Sequence, residues 1–265
     1  MVNNEVRFLA TLAACTPAHG SIVEIGSFKG KSTVALATAS AICHSGPVVA
    51  IDPHLGLGYY DPNSPHRSPT FDAFLVTLKS AGVDQNVEPH RAFSRDVAKT
   101  WKRPIRLLWI DGDHTYNGCK EDFDMFSPFL SEGAVVAFHD SLNNFDGPIR
   151  VFVEDVLRSD RFGPSGFVHS IAWSQYRPAD GALYREARAQ LARGAAKLIP
   201  YVAGPQPLTG LRKILYKLTR SRVPRKLISP AAWLKLVSPA APAHDPSIAP
   251  DAASEPRRSP EPHVP

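Results

Sequence analysis

The run Ile22-Val-Glu-Ile-Gly-Ser-Phe-Lys-Gly-Lys-Ser-Thr33 constrains this chain more than any other segment, because an apolar strand there breaks into a glycine turn and then a helix. Val23 and Ile25 are strand-like, and Lys31 to Ala41 carries helix formers. Gly26 and Gly30 let the backbone pass close to a ligand. Such a corner aims backbone N–H groups and a helix N-terminus at a polar ligand. An ordinary tight βα turn has the same outline.

Three ligand types compete for the corner. A P-loop needs four residues between its first glycine and Gly-Lys-Ser/Thr, and only three separate Gly26 from Gly30-Lys31-Ser32. A dinucleotide fingerprint needs Gly-x-Gly-x-x-Gly, and position 28 is Phe. S-adenosylmethionine needs a glycine turn with an acid nearby, and Glu24-x-Gly26-x-x-x-Gly30 fits it best. Val48-Val-Ala-Ile-Asp52 is a second apolar run ending in an acid, 28 positions after Glu24. An acid there accepts hydrogen bonds from ribose hydroxyls, which supports an adenosine-type ligand without choosing between this cofactor and NAD, although an acid ending a strand taken alone is more often just a turn residue.

At 265 residues and 43% hydrophobic content, the chain can bury one full domain and an appendage. Its three cysteines, Cys15, Cys43 and Cys119, are widely spaced with no CxxC pair. That argues against a disulfide scaffold or structural zinc and suits a reducing cytosol. Neither a signal peptide nor an apolar run of membrane-spanning length is found. The expected location is the cytoplasm, with peripheral contact at the inner membrane face. Charge is uneven: residues 205–265 hold ten basic and four acidic residues, while the preceding 204 are near neutral. A nucleic-acid-binding core is not indicated.

Strand-like and helical runs alternate, as in a parallel α/β sheet. Helices are predicted near 3–15, 30–43, 70–81, 94–101, 116–129 and 147–158. Strands are predicted at 21–26, 47–52, 86–91, 105–111 and 134–140, with a closing hairpin from Phe167–Trp173 and Gly181–Arg185. Residues 53–69 read either as a functional loop whose His54, Tyr59, Tyr60 and His66 touch an acceptor or as mobile surface decoration. Three regions are expected: a catalytic domain over 1–204, a basic amphipathic extension over 205–237 and a disordered Pro/Ala-rich tail over 238–265. Within the extension, 208–237 holds eight Lys/Arg and no acid. It reads either as an interfacial helix or as a helix docked on the domain with its basic face in water.

A second cluster follows the two clearest strands. Trp109-Ile-Asp111-Gly-Asp113-His114-Thr-Tyr116 and Ala137-Phe-His139-Asp140-Ser141 each place polar residues at a strand's carboxyl end. Neighbouring strands lie about 4.8 Å apart, so Asp111, His139 and Asp140 are placed to converge on one divalent cation. Carboxylates suit Mg²⁺ or Mn²⁺, and an imidazole shifts preference toward Mn²⁺ or later metals. The competing reading makes Asp111 and Asp140 caps of the helices that follow.

Taken together, Glu24-Ile-Gly-Ser-Phe-x-Gly, Asp52, Ile110-Asp-Gly-Asp-His-Thr-Tyr116 and Phe138-His-Asp140 resemble a class I S-adenosylmethionine-dependent methyltransferase. The subgroup that looks most similar includes macrolide-sugar and antibiotic O-methyltransferases, over about residues 20–185. The resemblance implies a Rossmann-like, doubly wound, seven-stranded, mostly parallel sheet with an antiparallel last strand. It implies that Glu24, Gly26, Ser27 and Gly30 line the methionine end of the cofactor, that Asp52 holds the ribose and that Ser94 lies near the adenine. Asp111, beside the cofactor, would join His139 and Asp140 in holding Mg²⁺ or Mn²⁺, with His114 as base. This chain has His139 where the sugar methyltransferases have an acid, which leaves the metal's identity and the need for it open.

The activity so implied is O-methylation of a hydroxyl on a sugar, a glycosylated natural product or a glycolipid, with a small-molecule or glycan acceptor. Two alternatives stand beside it: a metal-free methyltransferase with His114 or His139 as base, and a non-catalytic nucleotide-binding or membrane-tethering protein. A nicotinamide dehydrogenase is the weakest reading, given the missing glycine.

Overall fold

Ile105-Arg-Leu-Leu-Trp-Ile110 forms the centre of the fold, with all six residues buried. In the computed structural model, which describes residues 1–56, 68–204 and 208–238, this run is the middle strand of seven. The expectations for Tyr59, Tyr60, His66 and the tail beyond Ser238 fall outside those residues. The strands are β1 (Ser21–Ile25), β2 (Val48–Ile51), β3 (Val87–His90), β4 (Ile105–Ile110), β5 (Leu130–Phe138), β6 (Phe162–Val168) and β7 (Ile171–Tyr176). Among them run helices α1 (Asn3–Cys15), α2 (Lys31–Ile42), α3 (Phe71–Ser80), α4 (Ser94–Ala98), α5 (Tyr116–Phe126) and α6 (Asp146–Val151). After the sheet come α7 (Arg185–Ala195), α8 (Ile199–Val202), α9 (Gly210–Ser221) and α10 (Pro230–Val237).

Strand order is β3-β2-β1-β4-β5-β7-β6. Every pair from β3 to β5 is parallel, and β7 runs antiparallel to both β5 and β6. The doubly wound sheet with an antiparallel last strand is therefore as expected. Alternation along β4 divides the core: Leu107 and Trp109 join Phe8, Leu36 and Phe74 on one face. Leu108 and Ile110 join Phe123, Phe138 and Phe152 on the other. The order reverses between β1 and β4, opening a crevice beyond their carboxyl ends.

One expectation is overturned. The closing hairpin is β6–β7, turning at His169-Ser170 inside the first strand proposed, while Gly181–Tyr184 is a 3₁₀ turn leading into α7. A histidine stands at the turn's left-handed position (φ 55°), in place of the glycine or asparagine that usually marks one.

The basic segment divides. In α10, Trp233 and Val237 are buried against α1, with Trp233 stacked edge-on to Phe8 and Trp173 at 5.6 and 4.8 Å. The Trp233 indole N–H donates to the Cys15 carbonyl at 3.2 Å. By contrast α9 docks through Tyr216, whose hydroxyl donates to the Leu142 carbonyl at 2.8 Å, and turns Leu211, Ile214 and Leu218 (70, 56 and 54% exposed) to solvent.

Candidate active site

Gly26 begins the turn after β1 with φ 88°, in the left-handed region. A Cβ there would stand 2.2 Å from the Asp111 carbonyl oxygen, so only glycine lets the turn lie against the end of β4. Asp52 leaves the end of β2 and reaches across, its Oδ2 accepting the Phe28 N–H at 2.8 Å and its Oδ1 the His54 N–H at 2.6 Å. A cavity of about 400 Å³ opens above, with Gly26, Asp52, Ser94, Asp111 and His114 in its walls. That volume lies within the usual span of about 300–1,000 Å³ for a ligand site.

Glu24, Ser27 and Gly30 lie behind this wall. Glu24 is fully buried and accepts the Thr33 hydroxyl at 2.5 Å, fastening β1 to the first turn of α2. Burial pushes its carboxyl up to about 7 against the hydroxyls of Ser32, Thr33 and Ser27. Ser27 is buried beside Glu24, and Gly30 caps α2 in a left-handed conformation. His54 is buried against Phe71 and Phe74 and pairs with Thr70 at 2.9 Å, so it packs against α3 instead of facing an acceptor.

Four side chains meet where β4 and β5 end. Asp111, His114, His139 and Asp140 each present a ligand atom, and these atoms lie within 4.8 Å of one another. Nε2 of His114 stands 3.5 Å from an oxygen of Asp111 and 3.5 Å from one of Asp140. Its ring lies 4.5 Å from that of Phe145. Nδ1 of His139 faces Asp111 at 3.0 Å and Asp140 at 3.3 Å. Burial disfavours the imidazolium of His139, yet Asp111 and Glu5 outweigh it and lift the ring to about 10. His114 is raised in the same way, against its burial, by Asp111 and Asp140. Burial opposes charge on Asp111 too, but His114 and His139 hold its carboxyl below the ordinary value.

Two further acids escaped the sequence reading. Glu5 of α1 lies 3.6 Å from His139 Nε2 and accepts hydrogen bonds from the Val2 N–H, His169 and Ser170. It sits behind His139 as an outer carboxylate, 134 positions away in sequence. The signal available was an acid at the third position of a helix, where the side chain turns back to the N-cap amide. Asp122 of α5 lines the cavity and accepts the Ser94 hydroxyl at 2.5 Å, with burial raising its carboxyl to about 7.

A seven-stranded sheet of this order, with a glycine turn after its first strand and an acid ending the second over one cavity, is the arrangement expected from the resemblance to class I S-adenosylmethionine-dependent methyltransferases. Residues 23–141 match a family model described as a methyltransferase domain. Among solved structures, it is similar to the O-methyltransferase NovP, at 13% identity over 66% of this chain and 80% of that one, with a TM-score of 0.53. An O-methyltransferase from Bacillus cereus in complex with SAH matches at 18% identity, covering 66% and 82%, with a TM-score of 0.51. A methyltransferase from Geobacter sulfurreducens also matches at 18%, covering 67% and 80%, with a TM-score of 0.51. At these identities the likenesses establish the fold.

Proposed function

We propose that the protein methylates a hydroxyl oxygen on a sugar, a glycosylated natural product or a glycolipid, with a divalent cation at the ends of β4 and β5. The observation that carries this reading is the convergence of Asp111, His114, His139 and Asp140 beside the cofactor cavity. Gly26, Asp52 and Ser94 would hold the methyl donor, with Glu24, Ser27 and Gly30 shaping the turn from behind. NovP and the Bacillus cereus protein are themselves named as O-methyltransferases.

The donor set fits a cation. Asp111, Asp140 and Nδ1 of His139 would hold it, and mixed carboxylate and imidazole ligands suit Mn²⁺ at least as well as Mg²⁺. Glu5 behind His139 supplies the outer carboxylate that a ligating histidine usually has. When bound, the cation would lower the pKa of the acceptor hydroxyl.

The remaining chemistry belongs to the chain. Methyl transfer is an in-line displacement at a sulfonium, so the acceptor oxygen must be aligned and relieved of its proton. Nε2 of His114, held 3.5 Å from both Asp111 and Asp140, is the ring atom assigned to take that proton. Asp111 and Asp140 then face the imidazolium, and Phe145 fixes the plane of the ring. Labelled S-adenosylmethionine offered with candidate glycans, with and without EDTA, tests the reading. Turnover unchanged by EDTA would leave a metal-free enzyme with His114 as base.

The outward face of α9 supports peripheral contact with a membrane. Leu211, Ile214, Leu215 and Leu218 share one exposed face, with basic residues on either side. None of the described helices is long and apolar enough to cross a bilayer. Flotation with anionic liposomes should be lost on replacing Leu211, Ile214 and Leu218 by Ser, and equal flotation of that variant removes the membrane role.

A further inference from the structure

A second cavity, of about 190 Å³, lies between α9 and the segment that follows β5, walled by Asn143, Asn144, Lys213, Tyr216, Lys217 and Arg220. Three of its residues are cations at positions i, i+4 and i+7 of α9, so they share one side of the helix. Among the described residues no carboxylate lines the cavity, so none stands there to pair with the three cations. Nε of Arg220 is shut off from solvent with no acceptor. Like charges stacked on one helix face cost stability unless an anion lies among them.

This cavity adjoins the active site. Asn144 lines both cavities. The Asn143 side-chain amide donates to Asp140 Oδ1 at 2.5 Å, and Tyr216 anchors α9 to the backbone of the same segment. A group seated among the three cations is therefore one residue removed from the catalytic cavity.

We propose that Lys213, Lys217 and Arg220 form a phosphate-binding subsite for the acceptor, so that the substrate is a hydroxyl compound carrying a phosphate or diphosphate group. The inference rests on the O-methyltransferase reading and narrows its substrate class. Arginine offers a fork to phosphate oxygens, and the lysines add point charges. Asn144 would mark the boundary between the phosphate and the hydroxyl to be methylated.

Calorimetric titration of the full chain with inorganic pyrophosphate tests this. Saturable binding is expected, weakened at least tenfold in K213Q/K217Q/R220Q. A second triple variant, R222Q/R225Q/K226Q, removes the same charge from the following turn and should bind within twofold of the parent. No saturable binding, or equal losses in the two triple variants, overturns the subsite. Phosphatidate-containing phosphatidylcholine vesicles distinguish the sources. Release of the chain from them by pyrophosphate assigns the pocket to a lipid phosphate, and pyrophosphate binding without such release assigns a soluble phosphorylated acceptor. S-adenosylhomocysteine titrated into the same preparation separates the two failures. If it binds and pyrophosphate does not, only the subsite fails; if it does not bind, the methyltransferase reading fails first.

Discussion

Asp52 and Phe28 are joined across the corner between β1 and β2, with the Phe28 N–H donating to Asp52 Oδ2 at 2.8 Å. The bond pins Phe28 at φ 47°, a left-handed conformation that costs a bulky residue about 1–2 kcal/mol. An acid expected only to receive ribose hydroxyls thus also shapes the glycine turn. Each carboxylate oxygen keeps a second lone pair for the ligand.

Replacing Asp52 by Ala therefore removes a ligand contact and the clamp on the turn together. S-adenosylhomocysteine affinity should fall about 100-fold, since two lost charge-assisted hydrogen bonds are worth roughly 3 kcal/mol. Asp52→Asn, which keeps one acceptor oxygen, should fall between. Calorimetry on the folded variants checks this, and wild-type affinity in Asp52→Ala would remove Asp52 from the cofactor site.

Legibility in the sequence followed periodicity and turn chemistry. The β1 corner and β4 were readable because their apolar runs end abruptly at Gly26 and Asp111, and the acids at strand ends pointed to one crevice. The β6–β7 hairpin was not readable, since a histidine occupies its left-handed turn position. Glu5 and Asp122 were hidden for another reason. Each looks like an ordinary helix-surface acid, and only tertiary packing brings them to His139 and Ser94. In the basic segment, α9 and α10 are both amphipathic, and it is Trp233 of α10 that meets the aromatic rings of Phe8 and Trp173.

Glu5 offers a test of the cation that spares the ligands themselves. Glu5→Gln keeps the side chain's size and acceptor oxygen but removes the charge behind His139. Manganese affinity, measured by electron paramagnetic resonance of the free ion, should drop about 10-fold to 100-fold, as for other outer-shell carboxylates. Asp111→Asn should abolish it. Identical affinity in all three proteins would mean that the ion binds elsewhere.

Trp233 ties α10 into the core, so this part of the basic segment belongs to the fold. Trp233→Ala should destabilise the protein by about 3–5 kcal/mol, the usual cost of emptying a buried aromatic site. For the same reason, ending the chain before α10 should expose Phe8 and Trp173 and lower solubility. Chemical denaturation followed by tryptophan fluorescence measures the first effect. A loss under about 1 kcal/mol would show that α10 is only loosely held.

Glu24 makes stability depend on pH, in a direction fixed by its burial. Its carboxyl loses its proton near 4.5 when exposed in the unfolded chain, but holds it to about 7 in the fold. Between those values the folded state binds more protons, so stability falls as pH rises from about 4.5 to 7 and levels off above. Glu24→Gln keeps an acceptor for the Thr33 hydroxyl and cannot ionise. The wild-type protein should thus lose stability relative to Glu24→Gln across that window, on the order of 1.4 kcal/mol per unit of raised pKa and a few kcal/mol at most. Thermal melts of both ligand-free proteins from pH 5 to 8 read the difference directly. Parallel curves would mean that Glu24 is already ionised at pH 5, with its charge held by Ser27, Ser32 and Thr33.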